Sequence, residues 1–232
     1  MLNRDQYTTA YLNTINESND SVDIDYEKNI KIAEEIGGIY NVETNTIDCR
    51  NHQVRFKNSW LNANGSFDFK LINTSTDYDN MFHRCTELRY LPKHFTIPQG
   101  VTTCGNMFYS CVSLTHLPEN FTLPSTIQWC DRMFLGCVNL RYLPEQFMIP
   151  VGATKCEGMF SGCQSLMQLP KNFTIPNTVD DCDDMFYGCK SLIEIPQQFT
   201  IPTDCSTYDI FGGCDNLPEY QKNVEQYRML EI

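Results

Sequence analysis

Twelve cysteines and four histidines are the residues of this 232-residue chain best suited to chemistry. Thiols can pair as disulfides, ligate soft metals or act as nucleophiles once ionised. Their spacing argues for something simpler. Cys85, Cys111, Cys137, Cys163, Cys189 and Cys214 form one column, and Cys104, Cys130, Cys156 and Cys182 form a second. Cys205 falls near the second column but out of register, and Cys49 stands apart. The run from Cys104 to Cys111 is C-x6-C, not the C-x2-C knuckle of a zinc site, so no metal site is expected. A free cysteine behaves as a small hydrophobe and is among the most buried residue types. The columns therefore read as reduced packing ladders in a stacked interior. Disulfides between neighbouring coils are the alternative, since adjacent strands lie ~4.8 Å apart, within bridging range.

Catalysis has little to work with. His52, His83, His94 and His116 stand in no H-E-x-x-H spacing, and the chain lacks G-x-S-x-G, P-loop and dinucleotide fingerprints. Cys85 and His83 are close only in sequence. No catalytic residue and no cofactor is expected, and enzyme is retained only as a remote alternative. Asp180, Asp181, Asp183 and Asp184 could offer oxygen ligands to calcium. The other copies of that segment carry Thr102-Thr103, Gln128-Trp129 and Thr154-Lys155, so a solvated acidic turn at a helix N-terminus is the reading preferred.

The elements that hold these residues repeat. From Met81 to Asp209 the chain runs five times through M-F-x-x-C-x-x-L-x-x-[LI]-P-x-x-F-x-[IL]-P, with Met-Phe at 81, 107, 133, 159 and 185. A fixed period of about 26 residues marks a solenoid, whose coils bury their apolar faces only against each other. The spacing predicts a short helical turn over C-x-x-M-F-x-x-C, where apolar residues fall at i, i+3, i+4 and i+7. It predicts short strands around the second leucine and at F-x-I-P, each ended by proline. The invariant letters build the scaffold, so recognition belongs to the positions where the copies differ. The pairs after the first leucine are Arg89-Tyr90, Thr115-His116, Arg141-Tyr142, Met167-Gln168 and Ile193-Glu194. Tyr and Arg are enriched at binding hot spots, so these ten residues are the candidate ligand surface. The alternative is ordinary solvated strand positions.

Ends need covering. Residues 1–54 are expected to cap the N-terminus, with a helix over Asp25–Ile36 whose stripe is Ile30, Ala33 and Ile36, a strand in Ile47–Phe56, and an earlier helix over Asp5–Asn16. Residues 55–80 read as a degenerate capping coil, with Phe56 in the place of Phe82 and Tyr78 in that of Cys104. Residues 81–209 hold the five repeats, and 210–232 a truncated copy followed by a helix from Glu219 to Ile232.

The segment C-x-x-M-F-x-G-C-x-S-L resembles the BspA-like branch of leucine-rich repeats, found in bacterial and protozoan surface proteins. It is closer still to the Mycoplasma-type and phage-encoded forms. Gly136, Gly162, Gly188 and Gly213 hold the family's F-x-G-C glycine, while Arg84 and Ser110 depart from it. The resemblance runs from about Asn80 to Pro218. It implies an α/β solenoid, a right-handed coil of the leucine-rich type, and non-catalytic recognition of a protein or surface.

Composition narrows the partners. Hydrophobic residues at 41% suffice for a continuous core, and the formal charge of −12 argues against nucleic acid and anionic membranes. With no signal peptide and no run of ~18 apolar residues, a reduced intracellular setting is favoured and no membrane insertion is expected. A protein partner of unknown identity is therefore expected. The rival reading is a structural brace, as a homo-oligomer or in a phage or virus particle.

Overall fold

The computed structural model describes residues 24–50 and 52–228, so the segment Asp5–Asn16 lies outside the described residues. The first element is helix α1 (Tyr26–Glu35). The Asp25 carboxylate caps it by accepting the Lys28 N–H at 3.0 Å, and Gly37, at φ 69°, ends it. Its buried face is Asn29, Ile32 and Ala33 rather than the stripe through Ile30 and Ile36, which are half-buried. The helix turns inward there because the Asn29 amide has partners in the Asn45 and Asp68 side chains, at 3.2 and 3.1 Å.

Three short strands follow, β1 (Ile39–Asn41), β2 (Thr46–Asp48) and β3 (Lys70–Ile72), in spatial order β1-β2-β3. The first pair is antiparallel and the second parallel, with Ile47 opposite Leu71. The strand expected across Ile47–Phe56 stops at Asp48. The chain then turns, with the His52 N–H on the Cys49 carbonyl.

Beyond these strands the coils share one backbone rule. Along Cys104–Cys111 the N–H groups alternate between two destinations. Those of Cys104, Asn106, Phe108 and Ser110 donate to carbonyls of the next coil, at Trp129, Asp131, Met133 and Leu135. Those of Met107, Tyr109 and Cys111 close local turns on Cys104, Asn106 and Phe108. The same alternation runs from Tyr78 and from Cys130, Cys156 and Cys182.

The expected helical turn is therefore absent. Two residues per coil hold positive φ, such as Asn106 (53°) with Ser110 (56°) and Arg132 (54°) with Gly136 (73°), and each reverses the twist a helix needs. Three-residue spacing of apolar side chains arises here from successive turns.

Proline sets the corners. In every coil Phe closes a turn on the proline three residues earlier (Phe121 on Pro118, Phe147 on Pro144, both 2.9 Å). The next proline does the same for Val101, Ile127, Ala153, Val179 and Cys205. Lacking an N–H, proline also interrupts the strands expected beside it. The track after the first leucine keeps single rungs, and the longest parallel column runs instead through Asp77, Thr103, Trp129, Lys155, Asp181 and Ser206.

The core is two aromatic stacks meeting edge-on. Phe82, Phe108, Phe134, Phe160, Phe186 and Phe211 lie nearly parallel, with neighbouring centroids 5.2–5.7 Å apart. Phe121, Phe147, Phe173 and Phe199 form the second stack at 6.2–6.5 Å, and Phe134 meets Phe147 at 69°. Offset and edge-to-face contacts of this kind add to burial. Phe56 continues the first stack upstream, 4.4 Å from Phe82.

At the other end two 3-10 turns, Glu219–Lys222 and Val224–Tyr227, stand where an α-helix is expected from Glu219, and residues 229–232 of that expectation lie outside the described residues. Asn223 separates them. Its backbone is extended and its side chain accepts the Glu225 N–H, starting the second turn afresh. Tyr227 covers Phe199 and Phe211, at 5.3 and 6.1 Å.

Candidate functional site

The five variable pairs ride on a single hydrogen-bonded track. The Arg89 N–H donates to Gly65, Thr115 to Arg89, Arg141 to Thr115, Met167 to Arg141 and Ile193 to Met167, at 2.7–3.3 Å. Gly65 is required at the head of the track, since a Cβ there would meet Arg89 Cγ and the Glu87 carbonyl at 2.6 Å. The ten side chains form one strip across the coils. Tyr90 and His116 rings lie 13° from parallel at 6.2 Å, and Thr115 Oγ1 meets His116 Nδ1 at 2.9 Å. His116 pairs in register with Tyr142, whose hydroxyl donates to Met167 Sδ at 3.5 Å.

The strip is open. Arg89, His116, Arg141, Gln168 and Glu194 are exposed, and Tyr90 and Thr115 half-buried. Tyr142, Met167 and Ile193 keep 52%, 38% and 43% of their surface in solvent, a run of apolar groups on adjacent coils. Grooves flank both ends. One of about 700 Å³ is bounded by Asp25, Lys28, Asn62, Tyr90 and Pro92, and one of about 580 Å³ by Leu169, Lys171, Glu194 and Gln221.

A second column, half-buried over most of its length, escaped the sequence reading. Trp129 is 47% exposed on the long parallel column, between Thr103 and Lys155. The signal was present in Gln128-Trp129 and Thr154-Lys155, a variable pair before each second-column cysteine. In the acidic segment beside it Asp180, Asp181 and Asp183 are engaged, and no helix starts there. Lys155 Nζ pairs with Asp180 at 2.8 Å, and the Asp183 carboxylate accepts the Ser206 hydroxyl and the Tyr208 N–H.

All twelve cysteines are buried and unbridged. Each first-column thiol donates to a phenylalanine carbonyl one coil upstream, as Cys111 to Phe82 at 3.0 Å and Cys163 to Phe134 at 3.2 Å. Burial pushes Cys85 and Cys137 up to about 12, and Cys49 and Cys214 to about 11. Cys205 moves the other way, because the Cys182 thiol donates to it and Arg228 lies near. Among the described residues no three His, Cys, Asp or Glu side chains converge as metal ligands, and no helix is long and apolar enough to cross a membrane.

A family model described as "Mycoplasma protein of unknown function, DUF285" matches residues 76–199 and, again, 125–224. The chain belongs to this family. Its match spans the coils described above, and the leucine-rich, BspA-like reading of the repeat stands with it. No curated protein matches the chain. Among solved structures it is similar to a leucine-rich repeat protein from Bacteroides ovatus, at 18% identity and TM-score 0.42, over 78% of this chain and 44% of that one. The chain thus spans less than half of the Bacteroides protein. A leucine-rich repeat protein of T. pallidum is 17% identical, with TM-score 0.31, over 82% and 91% of the two chains.

Proposed function

We propose that this family member is a non-catalytic recognition protein whose binding surface is the strip Arg89-Tyr90, Thr115-His116, Arg141-Tyr142, Met167-Gln168 and Ile193-Glu194. The observation that carries the reading is the unbroken rung sequence beneath five non-repeating pairs. A rigid backbone holds arginine, aromatic and apolar groups in the open at little entropic cost, which is what hot spots require. A protein partner fits best, meeting Tyr142, Met167 and Ile193 with an apolar patch and Arg89 and Arg141 with acceptors at its rim. In this reading the coil is right-handed, as in the leucine-rich class, residues 24–80 close one end of the stack, and 210–228 close the other.

The test is a binding comparison between the native chain and a variant with Arg89, Tyr90, Arg141 and Tyr142 changed to alanine. The four side chains lie outside the core, so circular dichroism and melting should match. A partner held by the native chain and lost from the variant is the expected result. Unchanged retention would sink the proposal.

One observation favours the rival reading, a brace in a larger assembly. The N–H groups of Thr207, Asp209, Phe211 and Gly213 hold the positions that bind the next coil elsewhere, and find no acceptor among the described residues. Such an edge can pair with another chain. A mass above that of one chain in size exclusion, lost when Thr207, which is not at positive φ, is replaced by proline, would favour the brace.

A further inference from the structure

Cys205 stands one place out of the column formed by Cys104, Cys130, Cys156 and Cys182. The last coil is one residue short, since Met185 and Ile210 are 25 apart where the repeat spacing is 26. Ser206 therefore pairs with Asp181, and Thr207 takes the cysteine's usual place. Cys205 occupies instead the corner held by Val101, Ile127, Ala153 and Val179, closing the same turn on Pro202 that they close on their prolines. From that corner its Sγ lies 2.9 Å from Cys182 Sγ. The other sulfur pairs in contact are wider. Cys130 and Cys156 stand at 3.3 Å, and Cys104 and Met133 at 3.8 Å. A disulfide at ~2.05 Å needs only about 0.9 Å of further approach.

Two more features single out this pair. Cys205 lines an open groove of about 310 Å³ with Thr178, Asp180, Pro202 and Thr203, whereas Cys130 and Cys156 are wholly enclosed. The Arg228 guanidinium is fixed over the same turn, donating to the carbonyls of Pro202, Thr203 and Cys205 at 2.8–3.0 Å. Its charge favours the thiolate, against Asp180 and Asp181 on the preceding coil.

We propose that Cys205 and Cys182 are a dithiol site for oxidation by hydroperoxides, with Cys205 the attacking thiol and Cys182 the resolving one. The Cys205 thiolate attacks one peroxide oxygen, the O–O bond breaks, and the other oxygen leaves as hydroxide or alkoxide. Cys205 is now a sulfenic acid. Cys182 then attacks Cys205 Sγ and expels hydroxide, which takes the Cys182 proton to form water. Two thiols have given two electrons to one peroxide, and a disulfide staples the last coil to the one before it.

The test treats the native full chain with hydrogen peroxide, alkylates the remaining thiols under denaturing conditions and maps the peptides by mass spectrometry. The expected product is a cross-link between Cys182 and Cys205, lighter by two hydrogens, with the other ten cysteines alkylated. Cys205→Val restores the corner residue of the other coils, so it should fold and form no cross-link. Cys182→Ala should leave a sulfenic acid at Cys205 that dimedone traps, and Arg228→Gln should slow the reaction several-fold. Free thiols at both positions after exposure, or a Cys130–Cys156 bridge forming first, would overturn the proposal. So would dimedone labelling at Cys182 rather than Cys205.

Discussion

Cys137 Sγ donates to the carbonyl oxygen of Phe108, one coil upstream, at 3.1 Å, and the Cys111 N–H holds that same oxygen at 3.0 Å. The thiol thus fills the second lone pair of a buried carbonyl while occupying the space of a small hydrophobe. That double duty accounts for cysteine in all six copies of the column. Replacing Cys137 with alanine removes the donor and leaves a small void. The expected cost is about 1–2 kcal/mol, read as a lower urea midpoint with an unchanged slope.

The left-handed positions predict opposite effects. Gly162, at φ 74°, would place a Cβ at ordinary contact distance, 3.6 Å from Gly136, so Gly162→Ala costs strain alone, about 1 kcal/mol. Ser110 holds φ 56° with a side chain in the same place of its coil. Ser110→Gly should therefore raise stability, by up to about 1 kcal/mol after the loss of chain stiffness in the unfolded state. Thermal melts of the two variants check the pair.

Buried thiols make the fold alkali-sensitive. Cys85 and Cys137 are raised from an ordinary value of 9.0 to about 12, so the folded chain keeps protons that the unfolded chain releases. Their contribution is whole below pH 9 and drains away as pH climbs through 12. Each such thiol removes about 1.4 kcal/mol per pH unit in that window. Urea midpoints measured anaerobically from pH 7 to 11 should be flat to about 9 and then fall steeply. A midpoint level to pH 11 would contradict the burial assigned to the thiols.

Asp79 gives an acidic counterpart. Its carboxyl is raised above 3.8, chiefly by burial, although it accepts the Thr103 hydroxyl and the Gly105 N–H. The sign is that of a raised acid. Its contribution is full below the ordinary value and declines as pH rises through the folded one. Asp79→Asn keeps an acceptor without the buried charge, so its stability should fall less than the native chain's as pH rises above the ordinary carboxylate value of 3.8. Asp79→Ala leaves the Gly105 N–H unmet and should cost about 1–3 kcal/mol at every pH.

The period and the two cysteine columns were legible because stacking forces equivalent residues into equivalent places. The local backbone was not. Cys104, Met107, Phe108 and Cys111 have helical spacing, yet Asn106 and Ser110 sit at positive φ and fold the segment into turns. Asn80, Asn106, Gly158 and Asp184, two places after four of the five second-column positions, carried that signal, since such residues tolerate left-handed backbone, and Arg132 after Cys130 is the exception. The C-terminal helix failed for a similar reason, with Asn223 competing for the backbone it was meant to continue. At the candidate site the variable pairs were readable as one strip. Trp129 was passed over although it sits in a variable pair, because the strand spacing pointed to the leucine track rather than to its column as the parallel ladder.

The bonds that join Cys104 to Trp129 and Phe108 to Met133 run from coil to coil, along the stack, as do those at every later repeat. A load applied between the two ends therefore pulls on these bonds lengthwise, and the outermost coil carries it with neighbours on one side only. The molecule should yield under tension like thread leaving a spool, one turn at a time. Each 26-residue turn frees about 90 Å of chain.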